Sequence, residues 1–544
     1  MADSQKADFQ KLADQFTKFL LRTSPVTASY VGVHDYDEEL ASYTPAAIKA
    51  KVQKLAAFRS QFKALTRRKQ EPDDAVDLEL ALGHIETETL LATKHPLHAL
   101  LPDLYLNEIL FGVYALISRN FADERTRALS ATRRLVQAES MLQQAQKNLK
   151  NVPQVFVESG MHTCIGAIAF LKDAVPEFAR DVRGSLKDAL LEANQEAIAV
   201  LDGFGRYLQD KLLPTAKDNF SIGAPLYNQL LKIHHHLDYS HGDLLRIARK
   251  TIKDTEEALA KTAAQLSKGQ SWKQLVEKLK KEHPTTQGLL GAYKKEMLAA
   301  RAFIKENELI TIPEGETLEV VPTPAFARPL IPYVTYISPA PLDAEQKGLF
   351  WVTVPFGLPQ KEAAERLKGH SKWRIPTMAL HEGYPGRHLQ SVRANRSGRL
   401  LRHLVSTSVF SEGWAFYCEE MMAAAGCQSH PKERLLQLRD TLFRAYRVVI
   451  DVGLHTKTIK FSAAVNLLVE QVGVGAANAE AEVRRYCQMP TQPMSYLIGH
   501  MEIKKLLADY KRKKGGNFLL RQFHDDLLAH GTIPLSMIRQ LMGL

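Results

Sequence analysis

Cysteine is scarce in this chain: Cys164, Cys418, Cys427 and Cys487 are the only four in 544 residues. Cys418 and Cys427 stand too far apart for a metal knuckle, so the expectation is buried free thiols in a reducing compartment. Long hydrophobic runs are also lacking, and no stretch approaches the roughly 18 uncharged apolar residues of a membrane span. The opening segment, MADSQKADFQ, is acidic and polar where a signal peptide needs a basic start and an apolar run. A cytoplasmic location away from membranes follows as the expectation. There is no Gly/Ser-rich linker, low-complexity tract or fixed-period repeat, which favours one large lobed body over a string of domains. Walker-type phosphate loops and G-x-S-x-G elbows are missing too. QVGVGAANAE lacks the third glycine and the preceding strand of a dinucleotide loop. The net charge is +11, but its densest basic run, YKRKKGG (510–516), has no interleaved aromatics on which bases could stack. It reads as a solvated helix end, so no nucleic-acid partner is expected.

Helical periodicity fills the first 310 residues. In ADFQKLADQFTKFLL the apolar side chains of Phe9, Leu12, Phe16, Phe19 and Leu20 recur three or four apart, one stripe of an amphipathic helix. Segments 46–68, 73–95, 123–150, 183–213, 241–267 and 285–307 repeat the pattern. The character changes near 311, where TLEVVPTPAF, PYVTYISPAP and GLFWVTVPFG are rich in Val, Tyr, Phe and Thr and read as two to four short strands. From 361 the helices return. The chain therefore divides into a helical lobe (1–310), a small β region lining a cleft (311–356) and a second helical lobe (357–544), within one continuous body. An exposed sheet edge there could pair with an extended peptide.

The second lobe opens with MALHEGYPGRHLQ (378–390), a His-Glu pair with a further histidine seven positions on. The common zinc-protease helix has its histidines four apart, where this chain has Pro385. In a continuous helix the ring of Pro385 would press on the carbonyl of His381, and Gly386 weakens the helix further. A break is therefore required between His381 and His388, and a Pro-Gly bulge could bring the two imidazoles together. A third ligand is available downstream: SVFSEGWAFYCEEMM (408–422) is apolar and helical and carries Glu412, with Glu419 on nearly the same face. Glu419 is either a carboxylate behind the ligands or the ligand itself. Two histidines, one carboxylate and a water make an open catalytic zinc site.

HEGYPGRHLQ, EGWAFYCE and RYCQMPTQPMSYLIG (485–499) together resemble the bacterial domain-of-unknown-function family numbered 885, whose members are grouped with helical zinc metallopeptidases. The resemblance implies a mainly α, multi-helix body with a central channel and a small antiparallel sheet beside the metal. It implies His381 and His388 as metal ligands, Glu382 as general base and Glu412 as third ligand. Arg387 stands where the family has the first of two histidines, and Thr491 and Pro493 replace the usual Gly and Ala around Gln492. These departures put substrate preference in doubt.

Other polar residues read two ways. His234, His235 and His236 point in different directions on a helix, so a helix-end cluster outweighs a second metal site. Asp451 and His455 are four apart and could orient a catalytic imidazole or satisfy a core histidine. Tyr496 could donate to an oxyanion or pack as an aromatic. The function expected is zinc-dependent hydrolysis of short peptides. Zinc would acidify a water, Glu382 would take its proton, and Tyr496, His455 or Arg387 would hold the oxyanion or the substrate carboxylate. The alternatives are a non-catalytic helical binding protein and a zinc amidase acting on a non-peptide small molecule.

Overall fold

Most of the apolar periodicity becomes helix in the computed structural model, which describes residues 2–67, 69–324, 327–328, 331 and 333–544. The chain is 69% helical. Ala2–Thr23, Pro45–Leu65, Pro72–Lys94, Ser185–Tyr207, His241–Leu266 and Leu289–Glu306 match the periodic segments, and 123–150 becomes two helices, Glu124–Val136 and Ala138–Asn148. Two further helices, Pro102–Ile117 and Gln154–Phe178, lack a clear polar face because both pack into the main core. By length and composition alone Gln154–Phe178 could cross a membrane.

The strand-rich region forms three strands: β1 (Glu316–Pro322), β2 (Val334–Ile337) and β3 (Gln346–Val352). Residues 325–326, 329–330 and 332 of this region lie outside the described residues. The sheet is mixed, not antiparallel. Its order is β1-β3-β2, with β2 antiparallel to β3 and β1 parallel to it. After β1 the chain passes to the far side of β3 before turning back, so β1 and β3 run in the same direction. β1 and β2 are the sheet edges.

One helix acts as the spine. Pro431–His455 buries 17 of its 25 residues, with Leu442, Ile450 and Leu454 in one core and Ala445, Val448 and Val452 in another. Two arginines, Arg444 and Arg447, sit one turn apart on this spine and are buried. Buried charges persist only when paired, so their partners locate a polar centre within the protein.

Candidate functional site

The helix Ile375–Glu382 ends at the His-Glu pair and the next helix starts at Arg387, the break that Pro385 and Gly386 require. The linking loop folds tightly back on the helix end. Gly386 N–H donates to the Leu380 carbonyl (2.9 Å), and a Cβ at 386 would stand 2.0 Å from the His381 carbonyl oxygen. Trp414 secures the loop by donating its indole N–H to the Pro385 carbonyl (3.0 Å). Trp414 belongs to the helix Ser408–Ala424, which crosses Ser495–Lys514 through two glycines of the motifs. A Cβ on Gly413 would meet Gly499 Cα at 2.4 Å, and one on Gly499 would meet the Val409 carbonyl at 1.8 Å. Glycine at both positions lets this crossing bring Glu412 and Tyr496 to the same side of the loop.

Around the loop the polar side chains form two separate groups. In the first, His381 Nδ1 is 2.7 Å from Glu419, whose carboxylate is gripped by both terminal nitrogens of Arg444 (3.1 and 2.6 Å). Both Glu419 oxygens are engaged there, so Glu419 orients His381 through Nδ1 and leaves Nε2 uncommitted, with the ring close enough to Glu412 to lower its carboxyl. Arg387 is ion-paired with Glu412 and, at 3.5 Å, with Glu382. These two carboxylates are nearly buried, whereas the Arg387 side chain is 28% exposed and marks the open side of the group. Burial pushes the Glu412 carboxyl up, but Arg387, then His381 and Arg447, outweigh it and hold it below the usual carboxylate range. Burial opposes the charge of Arg387 as well, and Glu412 and Glu382 more than restore it. Arg447 stacks 4.4 Å from the centre of the Tyr496 ring while bonding Tyr486 and Glu482 (2.7 Å each).

The second group holds His388. Its Nε2 lies 2.6 Å from Glu316 of β1 and its Nδ1 3.2 Å from the Tyr336 hydroxyl of β2. Tyr384 and Arg301 also donate to Glu316. Both imidazole nitrogens are therefore engaged, and the ring is fully buried. Successive residues on a helix point about 100° apart. At this helix start position 387 faces Glu382 and Glu412, and position 388 faces the sheet.

The structure thus brings His381, Glu382, Glu412, Arg387 and Tyr496 together and leaves His388 outside as a ligand. His455 is separate too. It is fully buried, with Nε2 2.9 Å from the Tyr486 carbonyl and 3.9 Å from Asp451, so it reaches no substrate. The three histidines at 234–236 diverge after a helix end: His235 bonds Thr407 and Thr491, and His236 faces Glu79. Glu316, Tyr336, Arg444 and Arg447 were not singled out from the sequence. A signal existed for the arginines alone, two charges three apart in the otherwise apolar stretch FRAYRVV.

The donors do not fit a resident zinc ion. Among the described residues no three His, Cys, Asp or Glu side chains converge on one point. The space between Glu382 and Glu412 is taken by a guanidinium, which stays protonated in proteins. A dication about 4 Å from it would meet a repulsion of roughly 8 kcal/mol at an effective dielectric near 20, twice the unit-charge value. It would also compete for the same two carboxylates.

Comparison with known proteins places the chain at this point. The family model described as "Bacterial protein of unknown function (DUF885)" matches residues 25–542. The chain belongs to this family. A solved structure described as "a putative lipoprotein of unknown function from Shewanella oneidensis" has the same fold, with a TM-score of 0.82 at 22% identity over 98% of this chain and 100% of that one. A second, "the putative lipoprotein from Colwellia psychrerythraea", gives a TM-score of 0.84 at 18% identity over 99% of each chain. No curated protein matches. At these identities the two structures establish that one shared fold spans nearly the whole chain, and nothing beyond the fold.

Proposed function

We propose that this family member binds short peptides, or the amide of a blocked amino acid, in an extended form beside the sheet and without a metal. The observation that carries this reading is the Arg387 guanidinium paired with both Glu382 and Glu412. Three groups around it keep bonding capacity. Among the described residues Glu382 accepts no hydrogen bond and the Tyr496 hydroxyl makes none, and the guanidinium has further N–H groups. An amide has one acceptor and one donor: its carbonyl would take an N–H from Arg387 or the Tyr496 hydroxyl, and its N–H would donate to Glu382. The edge strand β2 carries Tyr336, which bonds His388 of the second group and lies near enough to Glu382 to feel its charge, and the strand's outer backbone groups offer main-chain pairing to an extended ligand. In this reading the chain keeps the frame of a hydrolase site and uses it for recognition.

The test is a thermal-shift screen against a short-peptide library in the presence of EDTA, with product analysis by mass spectrometry. Stabilisation by peptides that are recovered uncut supports the proposal. No stabilisation by any peptide, or stabilisation only with added zinc, overturns it.

The zinc peptidase is the second reading, and one observation favours it. An imidazole held by a carboxylate through Nδ1, as His381 is by Glu419, is the usual support of a metal-ligating histidine. It requires Arg387 to leave its two carboxylates, and EDTA-sensitive peptide cleavage by the wild-type chain would establish it. A cytoplasmic location remains part of the proposal. The word lipoprotein in the descriptions of the two structural relatives points elsewhere for those proteins, and cell fractionation decides for this one.

A further inference from the structure

We infer that Arg387 stands in the place of a divalent cation, and that His381, Glu382 and Glu412 form a latent cation site closed by this one side chain. The inference rests on the reading above only in taking Arg387 as the group that bars a metal. His381 is 5% exposed, its Nδ1 is committed to Glu419, and its Nε2 has no hydrogen-bond partner among the described residues. Glu382 is 8% exposed and, among the described residues, accepts no hydrogen bond; it is ion-paired with Arg387 at 3.5 Å. Glu412 is held by the same guanidinium. Two carboxylates therefore flank one cationic group, with the His381 ring beside Glu412; spread around a guanidinium, the three do not now converge on one point. The guanidinium fills the place imperfectly, because its Nε is buried without a hydrogen-bond partner among the described residues. The surroundings supply charge balance and not the matched fork that an arginine normally finds.

Position 387 is the one that faces this space, whereas the ring of His388 is spent on Glu316 and Tyr336. Arg387→His would remove the internal cation, leave two carboxylates without a counter-charge and place a second imidazole beside His381. Two nitrogens and carboxylate oxygen suit zinc or cobalt. Removing the barrier without adding a ligand, as in Arg387→Ala, would open a weaker site.

The experiment titrates Co²⁺ into the full-length wild type, Arg387→His, Arg387→Ala, Arg387→His with His388→Ala, and Arg387→His with Glu412→Gln. The readouts are the visible d–d absorption and the bound metal. The expected result is one cobalt per chain with a tetrahedral spectrum in Arg387→His and none in wild type. The site should be retained when His388 is also changed, lost when Glu412 is changed, and at least tenfold weaker in Arg387→Ala. A folded Arg387→His that takes up no cobalt overturns the inference, and so does uptake that depends on His388. If Arg387→His unfolds without metal, recovery of its melting transition on adding zinc supports the same site, and no recovery overturns it. Cobalt uptake by the wild type would instead overturn the metal-free reading, so the two failures are distinguishable.

Discussion

Replacing Arg387 with Met removes the charge and keeps much of the packing volume, which makes it the sharpest structural perturbation of the site. The wild-type guanidinium neutralises two carboxylates whose side chains are only 11% and 10% exposed. Removing one partner of a buried ion pair costs about 3–5 kcal/mol, because the other charge stays buried. The partial exposure of Arg387 places this case near the lower end, at about 3 kcal/mol. In a Glu412→Gln background one carboxylate remains and the same substitution should cost about 1–2 kcal/mol, a coupling of about 1–2 kcal/mol. The pH dependence supplies a second signature. In the wild type the Glu412 carboxyl lies below its ordinary value, so its contribution is present above that value and lost as pH falls through the folded one. Without Arg387 burial and the neighbouring Glu382 push it the other way, so the variant's deficit should grow as pH rises from 5 to 8. Urea unfolding followed by tryptophan fluorescence reads this well, since Trp414 is bonded to the loop itself. A deficit below about 1 kcal/mol that is independent of pH would refute the electrostatic role of Arg387.

Three other substitutions probe the surroundings. Asp451 is fully buried, and burial raises its carboxyl to about 7 against hydrogen bonds from Tyr227 and Thr491. Its favourable contribution is present below the ordinary carboxylate value and is lost as pH climbs toward 7. Asp451→Asn should therefore gain on wild type between pH 5 and 8, by at most about 3 kcal/mol, in parallel melting curves. Thr491 has φ of 70°, a strained position for a β-branched residue, and its hydroxyl lies 2.9 Å from His235. Thr491→Gly loses the bond and relieves the strain, so chemical denaturation should find it at least about 1 kcal/mol more stable than Thr491→Ala. Gly386→Ala would drive a Cβ into the His381 carbonyl and should destabilise by more than about 3 kcal/mol, with a wild-type melting temperature counting against the loop geometry.

The long helices were legible because their apolar stripes recur over several turns, and the break before Arg387 because proline and glycine have local steric consequences. Two of the long helices that escaped notice, Pro102–Ile117 and Gln154–Phe178, carry apolar residues around most of their circumference, so periodicity gives little contrast in them. Strand positions followed from composition, but the parallel pairing of β1 with β3 depends on a chain crossing that composition does not encode. The site was half legible. Its residue types and segments were visible, whereas the choice between positions 387 and 388 turns on a single helical step after an irregular loop. The sequence reading favoured His388 because histidine is a ligand and arginine is not. The partner that draws His388 away, Glu316, lies 72 residues upstream on a strand, beyond any local pattern.

The central claim is that Arg387 excludes a metal from this site, and the zinc content of the wild-type chain tests it most directly. The protein would be incubated with excess zinc at pH 7.5, freed of loosely bound ion by gel filtration and assayed by elemental analysis. The account predicts zinc at the level of the buffer blank, unchanged by Glu412→Gln. One zinc per chain, lost on substituting His381 or Glu412, would contradict it and return the site to metal chemistry.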